Sequence, residues 1–572
     1  TKNAIISIED KNFYNHRGFD YPRILKAMII NIKSGKIKQG ASTISQQYIK
    51  NLYLTFDKTW ERKIEEAFLT LELETHYSKN EILEGYLNTI DFGGGNYGIK
   101  EASKYYFNKN PKELTKAEAS ILVGIPKSPN YYNPIFNYKN AKNRQYSVLK
   151  SMVNNRYISE NEMKKIYNEK ISFYGKSDKV ELSSVYYYKD AVMDEMKNIK
   201  QIPKTMLETD ELNIYTNLDK NVQKKLEETV DTEMKSTSMQ VASIVVEPKT
   251  AKIVGLIGGK DYSKSQFNRA TKSKRQVGST IKPFIYYSAL ENGFTSSTTF
   301  MSSETTFTFS NNKTYSPQNY GGTYGNKPIS LATAISYSDN IYAIKTHLFL
   351  GKDSLSNLAK RVKINTSIKE LASSALGTTE INMIDFSNGY ITLANEGKHE
   401  QPHLIEKITN KKGKILYEYK YNTEELLNKK YVYILNNLLT NTYNYKMVNY
   451  TSPTLLSISS DINGKYAIKS GSTSYDYWTI GYDSNYLVMV WAGNDNDNKI
   501  KNSESKITKK IWAKTMNNIN VDPKWYEIPS GITGEEINPI TGNSDKNGVL
   551  CFYEKGTEPS YNYIDMYEKL SK

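Results

Sequence analysis

Apolar positions between Trp60 and His76, and again between Lys79 and Asn88, return every three or four residues, the spacing of helices with one buried face. Segments of this kind make the chain helix-rich up to about Lys170. Beyond that the pattern changes. Lys465-Tyr466-Ala467-Ile468 reads as a strand, and Tyr482 to Ala492 carries Asp483-Ser484-Asn485, a turn between two strands. Residues from about Ile171 to Asn217 carry no chemical motif and read as a connector, while Asn494 to Asn502 reads as a polar loop. After Val521, Gly531, Thr541-Gly542 and Gly556-Thr557-Glu558-Pro559 mark the turns of a small β-like tail. No internal repeat or low-complexity tract is present.

Composition narrows the partners. At 572 residues the chain is too long for one core, and the length fits about three to four domains. The expected division is 1–170, 171–217, 218–520 and 521–572. A formal charge of +15 and a pI near 9.1 suit nucleic acid, anionic lipid headgroups or a lipid-linked diphosphate. No nucleic-acid-binding module is recognisable, so the charge points to a membrane surface. The lone Cys551 excludes an intramolecular disulfide framework. No run of about eighteen apolar residues occurs, and no signal peptide precedes Thr1. Ala27-Met28-Ile29-Ile30-Asn31-Ile32 could rest in a membrane interface or form a buried helix face.

Candidate chemistry begins at Ser279-Thr280-Ile281-Lys282. Residues three apart on a helix share a face, so the Lys282 amine can reach the Ser279 hydroxyl and take its proton. Near a helix start Pro283 is tolerated, and the dipole favours negative charge on the serine oxygen. Alone, the four-residue pattern also describes many exposed helix faces. Ser338-Asp339-Asn340 and Lys469-Ser470-Gly471-Ser472-Thr473 follow in the order that accompanies it in penicillin-binding proteins and serine β-lactamases.

On these motifs the C-terminal part resembles the transpeptidase domain of penicillin-binding proteins. Val241 to Thr250 with Ile253 to Gly259 looks like the opening hairpin of that family, Phe267-Asn268-Arg269-Ala270 leads into the nucleophile helix as it does there, and Leu212 to Asp219 resembles the entry to the domain. The resemblance implies an α/β fold, a mainly antiparallel sheet sandwiched by helices, with the Lys469 strand beside the nucleophile helix. It makes Ser279 the nucleophile and Lys282 its base. Ser338 relays a proton to the leaving amine, Asn340 holds the substrate amide, and Lys469 supplies positive charge. Ser470, Gly471, Ser472 and Thr473 then line the substrate, Gly471 by letting its backbone approach closely. The expected oxyanion hole is the N–H pair of Ser279 and Ser472. Ser470 stands where the family usually has threonine, a departure that keeps the hydroxyl.

A second set of motifs lies upstream: Glu9 to Gly18, Gly40 to Gln47, Arg62-Lys63-Ile64-Glu65-Glu66, Ile82 to Asn88 and Gly124 to Pro129. These look like the motifs of the family 51 peptidoglycan glycosyltransferases, the helical, lysozyme-like domain of class A penicillin-binding proteins. Asp91 departs modestly from the aromatic residue common there. By resemblance Glu9 is the base for the acceptor hydroxyl, expected in a partly apolar cleft that raises its pKa. Glu66 is expected near the donor diphosphate, holding a divalent cation such as Mg or positioning cationic groups; no cofactor is obligatory. Lys50, Lys58, Arg62, Lys63 and Arg144 would bind the diphosphate, and Gln47 would orient the substrate. Ser42 and Thr43 could equally cap a helix.

The whole reading is a bifunctional cell-wall synthase. Its first domain polymerises lipid II into glycan strands, and its second cross-links stem peptides ending in D-Ala-D-Ala through a serine acyl-enzyme that β-lactams mimic. Expected partners are the cytoplasmic membrane and cell-wall elongation or division proteins, with the N-terminal membrane anchor of the family absent from this chain. Rival readings are a D,D-carboxypeptidase or β-lactamase using the same serine, and a non-catalytic scaffold.

Other catalytic patterns fit poorly. The five histidines, His16, His76, His347, His399 and His403, do not follow a Gly-x-Ser-x-Gly elbow in the order a Ser-His-Asp hydrolase needs. His399-Glu400-Gln401-Pro402-His403 matches the zinc-protease pattern, but Pro402 would break the helix that pattern requires, so no metal site is expected there.

Overall fold

The computed structural model describes residues 1–34, 42–53, 60–93, 96–129, 131–135, 138–174, 185–202, 212–309, 314–495 and 498–559, apart from the side chains at 26, 29–34, 53 and 60–62. The chain divides into two compact units, one holding Thr1–Tyr186, Pro203–Asp210 and Asp261–Gln266, the other holding the rest.

The described elements of the first unit are mainly helices. Ser78 and Glu81 form a capping box at the start of Lys79–Thr89, as Thr115 and Glu118 do for Lys116–Gly124; each box satisfies backbone N–H groups that a helix start leaves unpaired. Ile82, Leu83, Tyr86 and Leu87, at helical spacing, bury one face of Lys79–Thr89 in a core with Ile5, Ile6, Phe13, Phe92, Tyr106 and Leu122. Such burial is worth about 1.5–3 kcal/mol for each large side chain. It fixes the helix Lys2–Glu9, whose last residue is the candidate base.

The second unit is built on a five-stranded antiparallel sheet, in spatial order Ala467–Ser472, Asp476–Tyr482, Leu487–Gly493, Gln240–Glu247 and Lys252–Ile257. Every residue of Asp476–Tyr482 and Leu487–Gly493 is buried, because helices cover both faces. That is why these strands read as continuous apolar runs rather than alternating ones. Lys220–Glu233 and Ile507–Ile519 pack on one face through Val222, Leu226, Ile511, Trp512 and Met516. On the other, Phe386 and Tyr390 of Met383–Ala394 meet Trp478, Tyr482 and Phe284. The expected turn is present: the Asp483 carboxylate accepts from the Asn485 and Tyr486 N–H groups at 2.9 and 3.0 Å.

The stretch 171–217 has more structure than a connector. It contains the helix Val185–Met196 and the strand Leu212–Thr216, which pairs with Ile405–Asn410. Half-buried Glu195 accepts the N–H groups of Leu404 and Ile405, and desolvation pushes its pKa up to about 7. In the C-terminal tail Ile532–Ile537 pairs with Val549–Glu554, and Ser330 N–H donates to the Ile540 carbonyl at 2.8 Å.

Gly377, which ends the 3-10 turn Ala372–Leu376, packs directly against the Gly278 backbone. Its φ is +70°, its carbonyl accepts from Gly278 N–H, and a Cβ there would fall 2.0 Å from the Gly278 oxygen. Gly377→Ala is therefore expected to cost about 2–4 kcal/mol, read as a lowered thermal unfolding midpoint. An unchanged midpoint would show that the turn yields freely.

Candidate active sites

In the second unit, Ser279 lies in a 3-10 turn, Gly278–Ile281, that runs directly into the helix Lys282–Glu291, where Pro283 occupies the first turn without losing a hydrogen bond. Gly278 adopts φ +55°, and a Cβ there would sit 3.0 Å from the Ser472 carbonyl. The turn is pinned from outside by Trp478, whose indole N–H donates to the Gln276 carbonyl at 3.0 Å.

Lys282 is fully buried. Its Nζ contacts the Ser338 carbonyl at 2.6 Å, Asn340 Oδ1 at 2.7 Å, and Ser338 Oγ and the Asp339 carbonyl at 3.3 Å. Among the described residues no hydrogen bond reaches the Ser279 hydroxyl, so the expected Ser279–Lys282 bond is not formed. The amine takes the stronger carbonyl acceptors instead. Burial pushes the Lys282 pKa down to about 7, although Asp339 opposes the change. A neutral amine has two hydrogens and one lone pair, and the two short contacts use the hydrogens. The lone pair remains for the serine proton.

Those acceptors converge because Ser338-Asp339-Asn340 is a joint between two helices. Ser338 ends Leu331–Tyr337 in the left-handed region, φ +58°, a conformation non-glycine residues rarely hold. Asp339 then caps Asn340–Leu350 by accepting the Tyr342 N–H at 2.7 Å.

Lys469 also reaches this joint, its Nζ donating to Ser338 Oγ at 2.9 Å and to the Ser470 carbonyl at 2.7 Å. Burial, with Lys282 and Lys509 nearby, pushes its pKa well below that of an ordinary lysine. Lys469 was expected to supply positive charge; in the closed protein interior that charge is opposed. Ser470 is buried. A Cβ on Gly471 would fall 2.8 Å from the Val277 carbonyl, so the nucleophile turn itself approaches closely there as well. Ser472 is exposed at the sheet edge. Thr473 N–H bonds to the Asp476 carbonyl at 2.9 Å, which turns the Ser472 N–H away from the neighbouring strand. The Thr473 hydroxyl is committed to the hairpin turn, accepting from Tyr475 and Asp476 N–H groups and donating to the Asp476 carboxylate.

In the first unit, Glu9 receives Arg144 Nη2 on one oxygen and Gln47 Nε2 on the other, both at 3.2 Å. These polar partners stand where a partly apolar cleft was expected. Gln47 orients Glu9 rather than lying free for substrate, and its own oxygen accepts from Tyr86 at 3.0 Å. Glu66 is buried and paired with Lys63, while Gln46 Nε2 donates to it at 3.2 Å. Thr43 caps Ile44–Tyr53 reciprocally with Gln46, which settles the capping reading for that residue. Lys50 is half-buried with partners of its own. Lys58 and the side chain of Arg62 lie outside the described residues.

Asp10, Tyr86 and Asp339 were not singled out by sequence. Asp10 is fully buried, bonded to His16 Nε2 and to the Ile44 N–H at 3.0 Å, and so ties the Glu9 helix end to the next motif. Its adjacency to Glu9 was the available signal. The His399–His403 segment is not helical: His399 bonds Asn388 at 2.9 Å, and His403 stacks on Tyr419.

A serine poised beside buried lysines in one unit, and a carboxylate pair with basic partners in a helical unit, define a two-site transferase. Comparisons specify it. A transglycosylase family model matches residues 1–153 and a penicillin-binding protein transpeptidase model matches 241–517. Penicillin-binding protein 2D of Bacillus subtilis is 42% identical over 97% of this chain and 82% of its own length, and penicillin-binding protein 4 of that organism is 31% identical over 90% and 85%. The crystal structure of penicillin-binding protein 1A from Haemophilus influenzae shares the fold, with a TM-score of 0.61 at 20% identity over 91% of this chain and 94% of that one. The chain belongs to the class A penicillin-binding proteins and is a bifunctional peptidoglycan synthase with glycosyltransferase and transpeptidase domains.

The Lys282 environment predicts the pH dependence of serine acylation. With Lys282 as the base the reaction needs the neutral amine, so the acylation rate is expected to climb as pH rises through about 7 and level off above it. A rate that is flat from pH 5.5 to 8.5 would remove Lys282 as the base.

Proposed function

We propose that Ser279 is the acylated nucleophile and Lys282 the base that deprotonates it. The Ser279 oxygen attacks the carbonyl carbon of the D-Ala-D-Ala bond of a stem peptide, the C–N bond breaks, and the departing D-alanine amine takes a proton through Ser338. An acceptor amine then attacks the acyl-serine, forms the cross-link and releases the Ser279 hydroxyl. The observation that carries this reading is the burial of Lys282 against Ser338 and Asn340, which favours the neutral amine one turn from the serine. The N–H groups of Ser279 and Ser472 would hold the oxyanion. β-Lactams, which present a strained amide to the same serine, are expected to acylate it. PonA1 of Mycobacterium tuberculosis, which has the same fold over 63% of this chain at a TM-score of 0.52, was solved with penicillin V.

For the glycosyltransferase, Glu9 is the base for the acceptor hydroxyl of lipid II or a nascent strand, and Arg144, Lys63 and Lys50 supply cations for the leaving diphosphate. Glu66 shares its oxygen with Lys63 and Gln46, and no group of three or more metal-ligating side chains occurs among the described residues. The described donor set therefore fits an ammonium better than a divalent cation. Exposed Tyr21, Leu25 and Met28, with Ile64, Phe68 and Leu71, support a site working at a membrane surface. No helix of the described residues is long and apolar enough to cross a membrane.

Two variants separate the sites. Ser279→Ala should abolish covalent penicillin labelling and peptide cross-linking while glycan polymerisation continues; Glu9→Gln should do the reverse, lowering polymerisation by about 100-fold or more. Labelling that survives in the serine variant, or normal glycan strands from the Glu9 variant, would sink the corresponding assignment.

A further inference from the structure

The Ser338-Asp339-Asn340 joint is held by a residue about twenty positions upstream. Asn319 is buried, in a segment whose neighbours Gln318 and Tyr320 are exposed. Its Nδ2 donates to Asp339 Oδ2 at 2.7 Å and to the Thr323 carbonyl at 3.0 Å, and its Oδ1 accepts the Asn340 main-chain N–H at 2.7 Å. The same carboxylate oxygen of Asp339 accepts Ser302 Oγ at 2.5 Å. One residue back, the Gln318 carbonyl accepts Asn340 Nδ2 at 2.6 Å. Both hydrogens of the Asn319 amide are used by acceptors and its oxygen by a donor, so the group has one orientation and cannot flip.

We propose that Asn319 is a positioning residue for the transpeptidase: by holding the Asp339 carboxylate and the Asn340 N–H together, it locks the left-handed turn at Ser338 and so fixes the acceptors that receive the Lys282 amine. The physical need is specific. A serine in the left-handed region is strained, and such a turn persists only when its surroundings over-determine it. Asp339 alone satisfies the Tyr342 N–H through Oδ1; without Asn319, Oδ2 keeps only Ser302 and the part-buried Asn340 N–H loses its acceptor. The joint could then relax, and the Ser338 carbonyl and Asn340 Oδ1 would move off the lysine. The inference rests on Ser279 being the acylated serine.

The test uses the full chain and a fluorescent penicillin, with the second-order rate of acylation followed from pH 6 to 8. Asn319→Ala should slow acylation about 10- to 100-fold, the loss expected when a buried hydrogen-bonded network is broken. Gln318→Ala should acylate like the parent, because only the Gln318 main chain takes part. Asn319→Asp gives the sharper result. Two carboxylates so close cannot both ionise, so the ratio of variant to parent rate should rise as the pH falls and a proton is shared between them. A variant that merely loosens the fold would be slowed by one factor at every pH, and that outcome, or parental rates in Asn319→Ala, overturns the proposal. If the parent chain itself is not labelled at Ser279, the reading of the nucleophile fails first and the positioning role falls with it.

Discussion

A fully buried lysine is the constraint around which the transpeptidase unit is arranged. Taking an ammonium out of water is so costly that the group either finds an anion or loses its proton. Lys282 is given carbonyl and amide oxygens in place of a directly bonded carboxylate, and its pKa falls accordingly. Carbonyl oxygens can stabilise either protonation state by accepting N–H bonds. They solvate the amine without fixing its charge, as a base that must gain and lose a proton requires. The left-handed turn at Ser338 follows from this need, since that backbone conformation and the helix start after it bring the Ser338 carbonyl and Asn340 side chain to one point.

The glycosyltransferase unit meets a different demand with the same economy of contacts. The base proposed for it, Glu9, is oriented by Gln47, itself gripped by buried Tyr86, and by Arg144. The Tyr86 hydroxyl is held protonated by burial and by the nearby charges of Glu9 and Asp10, so it acts as a donor. Arg144 in turn lies against Gly124, where a Cβ would meet its side chain at 2.9 Å. A glycine in one motif therefore makes room for the arginine that orients a carboxylate in another.

What the sequence disclosed follows from the range of each interaction. Ser279 and Lys282 are three residues apart, and the three ordered transpeptidase motifs are local strings, so both were legible. The sheet was legible through its turn at Asp483, whereas Val185–Met196 was not, because it sits in a stretch without chemistry. Contacts chosen by tertiary packing were misread. Lys282 was assigned to its neighbour in sequence, but a long side chain settles on the best acceptors within reach, and those lie 56 to 58 residues away. Gly471 and Thr473 also serve the fold in ways their motif did not disclose: the first accommodates the nucleophile turn and the second closes a hairpin. Asn319 gave no signal, since the motif residues it holds are 20 and 21 residues away and no periodicity links them.

The second lysine completes the electrostatic argument. Lys469 and Lys282 both contact Ser338 Oγ, and the charge of each disfavours the charge of the other. In a buried space two ammonium groups sharing one hydroxyl cannot both keep their protons cheaply. The hydroxyl between them is then a conduit, able to donate toward one nitrogen while accepting from the other. A carboxylate entering beside the Ala467–Ser472 strand would favour a charged Lys469 and, through repulsion, a neutral Lys282. With Lys282 as the proposed base for Ser279, binding an anionic substrate there would work in the direction the chemistry needs, placing positive charge near the carboxylate and favouring a neutral base.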